Sequence, residues 1–121
     1  MRWVIFLGIL AISNPTLAQM KAIDLEKHCR AVDRIVEGRE ILETDVSDAA
    51  LCIGYLGGFM DTVQVMENFL ETEIFCIPPE GLPSDQTRRV FMKFLEENPT
   101  ELSETARSTL WLAMNRSFAC R

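Results

Sequence analysis

The sequence predicts an all-α protein, a small compact bundle of four to five helices stapled by two disulfides. Three observations support this fold class. Helix-forming Leu, Met, Glu, Ala and Arg are abundant, and runs of β-branched residues are few. Apolar residues recur at helical spacing. Four cysteines occur in a chain that begins like an exported protein, and an even count in such a small chain is typical of disulfides.

The first 18 residues have the pattern of a secretory signal peptide. Arg2 supplies a basic start, residues 3–12 form an apolar run, and Ala18 ends a small-residue cleavage site. The apolar run is shorter than the about 20 residues that span a bilayer, so an uncleaved anchor is disfavoured. We therefore predict that residues 1–18 are cleaved. Residues 19–121 then form a single helical domain with no membrane contact.

The first helix is predicted over residues 22–37. Gly38 is a suitable stop, because helices often end at a residue with positive φ. The predicted buried stripe of this helix consists of Leu25, Cys29, Val32 and Val36.

An acidic connector over residues 39–45 leads to a second helix that is capped by Asp45 or Ser47 and ends near Leu70. Its stretch over residues 49–66 is apolar on nearly every side, which is typical of the central helix of a bundle. Three glycines interrupt this stretch, and each costs about 1 kcal/mol relative to alanine. We expect a neighbouring helix backbone to approach closely there. The glycines are Gly54, Gly57 and Gly58.

The proline-rich segment over residues 71–83 cannot be helical. Ser84 is the predicted cap of a third helix that ends near Glu97. Its inner face is predicted to hold Val90, Phe91, Phe94 and Leu95. Residues 98–101 combine a capping residue, a first-turn proline and an acid, which predicts the start of a last helix. That helix is predicted to bury Ala106, Leu110, Ala113 and Met114, with Phe118 near its end.

Two antiparallel helices joined by a short connector place Cys29 beside Cys52, which leaves Cys76 to pair with Cys120. Crossed pairings remain open, since four cysteines allow three connectivities. A zinc site is disfavoured, because no C-x-x-C pair occurs and His28 is the single histidine.

Charge excludes one class of partner. Without Arg2, the mature chain has eleven Lys or Arg against eighteen Asp or Glu. A chain this acidic does not follow a phosphate backbone, so nucleic acid is not a predicted partner.

The residues that enzymes use are scarce. A thiol hydrolase needs a free cysteine with a histidine in reach, and His28 stands beside the predicted structural Cys29. No G-x-S-x-G motif supports a serine hydrolase. Asp61 is the one acid on an otherwise apolar helix, and we interpret it as hydrogen-bonded or facing a solvent gap. We predict no catalytic residue, metal or cofactor, and therefore no enzyme.

Four motifs occur in one order, over residues 52–61, 76–79, 94–99 and 118–120. Their order resembles the Rap/Tai family of small immunity proteins associated with type VI secretion. In that family a C-x-G-Y-x-x-G helix precedes a C-x-P loop, a Y-L-x-x-H-P turn and a closing F-P-C. Three positions depart from the pattern, where this chain has Phe94, Asn98 and Ala119.

The resemblance implies a periplasmic helical protein, often a homodimer, that binds and blocks a peptidoglycan-cleaving amidase. The candidate partner-binding residues are the acids of the connector and of the proline-rich segment, namely Glu37, Glu40, Glu43, Asp45, Glu71, Glu73 and Glu80. The alternative is a periplasmic accessory or chaperone-like protein that binds apolar clients through Trp111, Phe59 and its methionines.

Overall fold

The computed structural model describes residues 19–121, and the predicted signal peptide lies outside this range. The described chain forms four α-helices and one short 3-10 helix, which confirms the all-α fold. The helices are α1 (Ala22–Val36), α2 (Asp45–Leu70), α3 (Ser84–Glu97) and α4 (Ala106–Phe118), and the 3-10 helix Pro99–Ser103 precedes α4.

All four α-helices contribute to one core. Its largest fully buried apolar side chains are Leu25 of α1, Leu56 of α2, Phe91 of α3, and Leu110 and Met114 of α4. Burying an apolar side chain of this size stabilises the fold by about 1.5–3 kcal/mol. The four helices of the described chain therefore share a single core.

A buried arginine ties α3 to α1. The Arg88 side chain is nearly inaccessible to solvent. Its guanidinium donates to Asp33 of α1 at 2.6 Å and to Asp85 of its own helix at 3.0 Å. Burial raises the pKa of Asp85, but the hydrogen bonds and charges of Arg88 and Arg89 outweigh it and hold that pKa below its ordinary value.

The structure corrects three predicted caps. Neither Asp45 nor Ser47 caps the second helix, because both lie within α2 and Thr44 holds the capping position without a side-chain bond. Ser84 is the first residue of α3, and the capping position belongs to Pro83, which offers no side-chain bond. Asn98 does not cap the last helix, because its side-chain amide donates backwards to the carbonyl of Phe94 at 2.8 Å. The chain then makes a 3-10 turn, and α4 begins at Ala106 after Thr105, whose hydroxyl accepts from the Ser108 amide at 3.4 Å.

The prediction that α2 is the central helix is wrong. Cys52, Leu56 and Val63 face the core, but several large apolar side chains of the helix are exposed. They are Val46, Leu51, Val65, Met66, Phe69 and Leu70. By length and composition α2 also passes as a membrane span, a test that many soluble helices and signal sequences pass as well. Val36, predicted to be buried on α1, is likewise exposed.

The predicted close approach of a neighbouring helix backbone is wrong at all three α2 glycines, since the nearest atom at Gly57 belongs to a side chain at ordinary contact distance. A Cβ added at Gly54 or Gly58 would meet no atom within 4 Å, whereas one at Gly57 would lie 3.6 Å from the Ser84 hydroxyl. Nothing in the described chain approaches Gly54 and Gly58.

The two disulfides differ in their surroundings. Cys29 pairs with Cys52 between α1 and α2, with Cα atoms 5.0 Å apart, and both residues are fully buried. Cys76 pairs with Cys120 between a loop and the segment after α4, with Cα atoms 4.9 Å apart, and both residues are exposed. This is the connectivity that the helix order favoured over the crossed ones.

Candidate functional site: two acidic surfaces at the ends of α2

The first surface is the connector (residues 37–44) between α1 and α2. It begins at Gly38, whose φ of +64° is a conformation that favours glycine. Its far end is held by Asp45, whose carboxylate accepts the Leu42 amide at 2.7 Å. The Arg34 guanidinium of α1 donates to both oxygens of the same carboxylate, at 3.0 and 3.2 Å from Nε. The connector is therefore an ordered protrusion.

Asp45 is not available to a partner, which corrects one predicted binding residue. Its side chain is fully buried at the first turn of α2. The hydrogen bond from Arg34 holds the pKa of Asp45 below its ordinary value, and the Leu42 amide adds to this effect against the opposing effect of burial. The role of Asp45 is to anchor the connector.

The three other acids of the connector do face solvent. Glu37, Glu40 and Glu43 are all exposed, and Glu37 pairs with Arg39 at 2.7 Å. Between them the connector presents Ile41 and Leu42, which are 54% and 55% exposed. Sequence reasoning missed this apolar tip, although two adjacent aliphatic residues within an acidic loop were a visible signal.

A histidine–aspartate pair reinforces the same end of the molecule. His28 of α1 lies 2.8 Å from the carboxylate of Asp48 on α2, through its Nδ1 atom. The hydrogen bond from His28 lowers the pKa of Asp48, and burial opposes this shift. Because Cys29 is oxidised, His28 has no thiol to activate and serves as a link between helices.

The second surface is the proline loop (residues 71–83) between α2 and α3. It begins with Glu71, a non-glycine residue with φ of 52°. The carboxylate of Glu67 accepts the amides of Ile74 and Phe75 at 2.7 and 3.0 Å. The amide of Cys76 donates to the Phe118 carbonyl at 2.8 Å, beside the Cys76–Cys120 bond. This loop is therefore also ordered.

The three candidate acids of the proline loop, Glu71, Glu73 and Glu80, are exposed. Glu73 lies next to the disulfide, with a carboxylate oxygen 3.6 Å from the sulfur of Cys76. Ligand atoms of Glu73, Cys76 and Cys120 all lie within 4.8 Å of one another. Since both sulfurs are consumed by the disulfide, this group does not offer thiolate ligands in the oxidised protein.

The structure does not bring the predicted acids into one site. The connector precedes α2 and the proline loop follows it, and the 26 residues of α2 span about 39 Å at 1.5 Å per residue. The exposed acids therefore form two separate surfaces at opposite ends of one helix.

Asp61 is exposed to solvent, which agrees with the second of its two predicted roles, an acid that faces a solvent gap. It lines a groove of about 280 Å³ between α2 and the proline loop, with Gln64, Glu67 and Leu82 among its neighbours.

Phe59 and Trp111, the candidate client-binding aromatics, pack together with ring centroids 6.5 Å apart. Trp111 also packs on the buried Phe75 at 5.0 Å, so it supports the proline loop.

These features define a class of protein: an acidic, disulfide-stapled helical bundle with two exposed acidic surfaces held by hydrogen bonds. A family model described as Rap1a immunity proteins matches residues 21–120. The chain therefore belongs to the Rap1a immunity protein family, and family membership supports an immunity role through binding of a protein effector. No curated protein and no solved structure gives a significant match.

Proposed function

We propose that the chain is a periplasmic immunity protein that binds and blocks a peptidoglycan-cleaving amidase delivered by type VI secretion, and that it acts as a homodimer. The observation that carries the proposal is the match of residues 21–120 to the immunity family. The amidase, the periplasmic location and the homodimer come from the Rap/Tai resemblance set out above. An exported protein with its cysteines oxidised agrees with that compartment.

The connector is the surface best suited to occlude an active-site cleft. Binding energy at interfaces is concentrated in a few central residues that a polar rim shields from water. Ile41 and Leu42 supply an exposed apolar centre, and the exposed Glu37, Glu40 and Glu43 surround it. Because Asp45 and Arg34 already order the connector, binding has little loop entropy to lose.

The proline loop is the second contact surface. Glu71 occupies a left-handed conformation that costs a non-glycine residue about 1 kcal/mol or more. Glycine would be less strained at this position. The presence of a glutamate there favours a binding role for its exposed carboxylate, because backbone strain is often found at functional positions.

Acidity supports a basic effector. The mature chain carries eighteen acids against eleven basic residues, counted without Arg2. Complementary charge speeds association and is screened by salt. The association rate with the effector should therefore fall as ionic strength rises.

The test uses the oxidised mature protein and a Cys-His peptidoglycan amidase; an adjacent open reading frame that encodes such an amidase would be the first choice. Inhibition is measured as release of peptidoglycan fragments at increasing immunity protein. Leu42→Asp places a charge at the apolar tip and should weaken inhibition by about 30-fold or more. Ile23→Asp, at the similarly exposed start of α1, is the matched control and should inhibit normally.

Two results would contradict the proposal. One is an amidase that the wild-type protein neither binds nor inhibits. The other is equal inhibition by Leu42→Asp and wild type, which would remove the connector from the interface while leaving the family role intact.

A periplasmic accessory or chaperone-like protein is the second candidate. The exposed apolar side of α2 favours it, since such patches bind other proteins. This function requires suppression of aggregation of unrelated unfolded clients. A protein that inhibits its amidase but leaves client aggregation unchanged excludes the second candidate.

A further inference from the structure

One exposed cluster of metal-ligating side chains lies where the proline loop meets the segment after α4. Its members are Glu73 and Cys76 of the loop and Cys120 after α4, and their ligand atoms all lie within 4.8 Å of one another. Within residues 19–121 no other three histidine, cysteine or acidic side chains come this close together. The two cysteines are 44 residues apart in the chain, so the fold creates a grouping that no C-x-x-C pair announces in the sequence.

The carboxylate of Glu73 already lies at a suitable distance from one of the sulfurs. Its Oε2 atom is 3.6 Å from the sulfur of Cys76. Zinc binds thiolate sulfur at about 2.3 Å and carboxylate oxygen at about 2.1 Å, so two such ligands of a tetrahedral site lie about 3.6 Å apart. Two thiolates with one carboxylate suit zinc, whereas calcium and magnesium require oxygen ligands.

The disulfide that joins these two cysteines is the accessible one of the two. Both of its cysteines are exposed, whereas Cys29 and Cys52 are fully buried. Thiol–disulfide exchange requires an attacking thiolate to reach a sulfur. A dithiol therefore opens the Cys76–Cys120 bond while the buried disulfide keeps α1 attached to α2.

Contacts other than the disulfide keep the cysteines together after reduction. The amide of Cys76 donates to the carbonyl of Phe118 at 2.8 Å, two residues before Cys120. Phe75, the neighbour of Cys76, is 2% exposed and packs on Trp111 of α4 with ring centroids 5.0 Å apart. The proline loop is therefore held against α4 by packing and hydrogen bonding as well as by the covalent bond.

We propose that Glu73, Cys76 and Cys120 form a zinc site when a dithiol reduces the exposed disulfide. One thiolate of the dithiol attacks a cysteine sulfur, and its second thiol resolves the mixed disulfide. The Cys76–Cys120 bond breaks, the protein gains two electrons and two protons, and the dithiol leaves as a disulfide. Zinc then displaces the two thiol protons to solvent and binds both sulfurs, the Glu73 carboxylate and one water.

Zinc in this way replaces one cross-link by another. The disulfide and the zinc site use the same two sulfurs, so each protein molecule holds one or the other. In both forms the proline loop stays attached to the segment after α4. This attachment involves no effector, so the zinc site is independent of the proposed inhibition of an amidase.

The test is zinc binding to the mature protein, measured by titration calorimetry without any effector. Native protein is treated with dithiothreitol, desalted under nitrogen and checked by mass spectrometry for two free thiols and one intact disulfide. The reduced protein should keep its helical circular dichroism and bind one zinc ion, whereas the oxidised protein should not bind zinc at this site. Cobalt(II) in place of zinc should give sulfur-to-cobalt charge-transfer absorption, which reports thiolate ligands.

Two substitutions in the proline loop separate ligation from general attraction by charge. Glu73→Gln removes the anionic ligand, so the zinc dissociation constant of the reduced protein should rise about tenfold or more. Glu80→Gln, at another exposed acid of the same loop, is the matched control and should bind zinc like wild type. Zinc should also raise the thermal midpoint of the reduced protein, because it binds the folded state, and should leave that of the oxidised protein unchanged.

Four results would each overturn the proposal. The first is reduced wild type that binds zinc no more tightly than the oxidised protein. The second is equal zinc affinity of Glu73→Gln and Glu80→Gln, and the third is cobalt binding without thiolate absorption. The fourth is loss of the helical circular dichroism on reduction, which would show that the remaining contacts do not hold the ligands together. None of these results bears on inhibition of an amidase by the oxidised protein.

Discussion

The two ends of α2 are joined to the rest of the molecule in different ways. At its start, a buried disulfide, the Arg34–Asp45 pair and the His28–Asp48 pair connect it to α1. At its end, the amides of Ile74 and Phe75 donate to the Glu67 carboxylate of α2. The exposed disulfide and the Cys76 amide hold the proline loop against the end of α4. We call the attachment at the start of α2 the first joint and the attachment at its end the second joint. The first joint depends on packing and on the charge of two carboxylates, whereas the second depends mainly on the disulfide that closes a long loop.

The difference teaches where each joint should fail. The first joint is shielded from reagents in solvent but contains two carboxylates that must stay ionised. The second joint is open to reductant, and its amide hydrogen bonds do not require a buried ion pair. Reductant should therefore act first on the end of α2, and loss of the two aspartate charges should weaken its start.

The largest effect is expected from removing the buried disulfide. Cys29→Ala with Cys52→Ala loses the closure of a 23-residue separation, worth about 3.4 kcal/mol in the chain-entropy model. Truncating two fully buried sulfurs adds about 1 kcal/mol each. We expect unfolding free energy in urea to fall by about 5 kcal/mol, which leaves a marginally stable protein.

Removing the exposed disulfide should cost less. Cys76→Ala with Cys120→Ala loses closure of a 44-residue separation, worth about 4 kcal/mol, with no buried cavity. If this pair costs more than the buried pair, loop entropy dominates and the packing contribution assigned to the first joint is wrong.

Graded reduction tests the same comparison without substitutions. Dithiothreitol should reduce Cys76–Cys120 first, since thiolate attack needs access to a sulfur. Alkylation and mass spectrometry of native protein should then label these two cysteines before Cys29 and Cys52. Simultaneous labelling would indicate global unfolding rather than local access.

Acid should weaken the first joint by a smaller amount. The folded-state pKa of Asp45 and of Asp48 is lowered, by hydrogen bonds from Arg34 and His28 respectively. Their stabilisation is therefore fully present above the ordinary aspartate pKa, and it is lost as pH falls through the lowered value, below about pH 4.

Thermal unfolding from pH 7 to pH 2 measures this loss. Asp48→Asn should flatten the decline below pH 4, at the cost of lower stability at neutral pH. Asp61→Asn, at an exposed position of the same helix, is the control. If the thermal midpoint of Asp48→Asn falls with pH as steeply as that of wild type, other groups are responsible for the acid sensitivity.

The smallest effects concern the residues that follow α1 and end α2. Gly38 and Glu71 both have positive φ, at 64° and 52°. Gly38→Ala should destabilise by about 1 kcal/mol and Glu71→Gly should stabilise by up to about 1 kcal/mol. Urea unfolding should show changes in unfolding free energy of opposite sign for the two variants. Changes of the same sign would contradict the comparison.

The helix bounds of α1, α2 and α3 could be predicted from apolar spacing and from glycine and proline positions. The start of α4 could not, because Asn98 and Pro99 carry a helix-start signature that here produces a 3-10 turn. The exposed side of α2 was hidden for another reason. An all-round apolar pattern is the same for a buried helix and for one whose apolar side chains are partly exposed.

The candidate site was predicted in composition but not in arrangement. Six acids of the two surfaces are exposed as expected. Asp45 differs because Arg34, 11 residues earlier, reaches its carboxylate, and sequence spacing across a loop does not reveal such a contact. The apolar tip at Ile41 and Leu42 is exposed, and a two-residue apolar run is too short to show helical or strand periodicity.

The spacing of the two disulfides along the chain sets an order for oxidative folding. In a chain translocated from its N-terminus, Cys29 and Cys52 emerge with α1 and α2 while Cys120 is still 44 residues behind Cys76. When Cys29 and Cys52 form their disulfide early, neither thiol is free to pair with Cys76 or Cys120 when these emerge. The export proposed above would thus guard against the crossed isomers, and refolding of the reduced mature chain should produce more scrambled species than secretion.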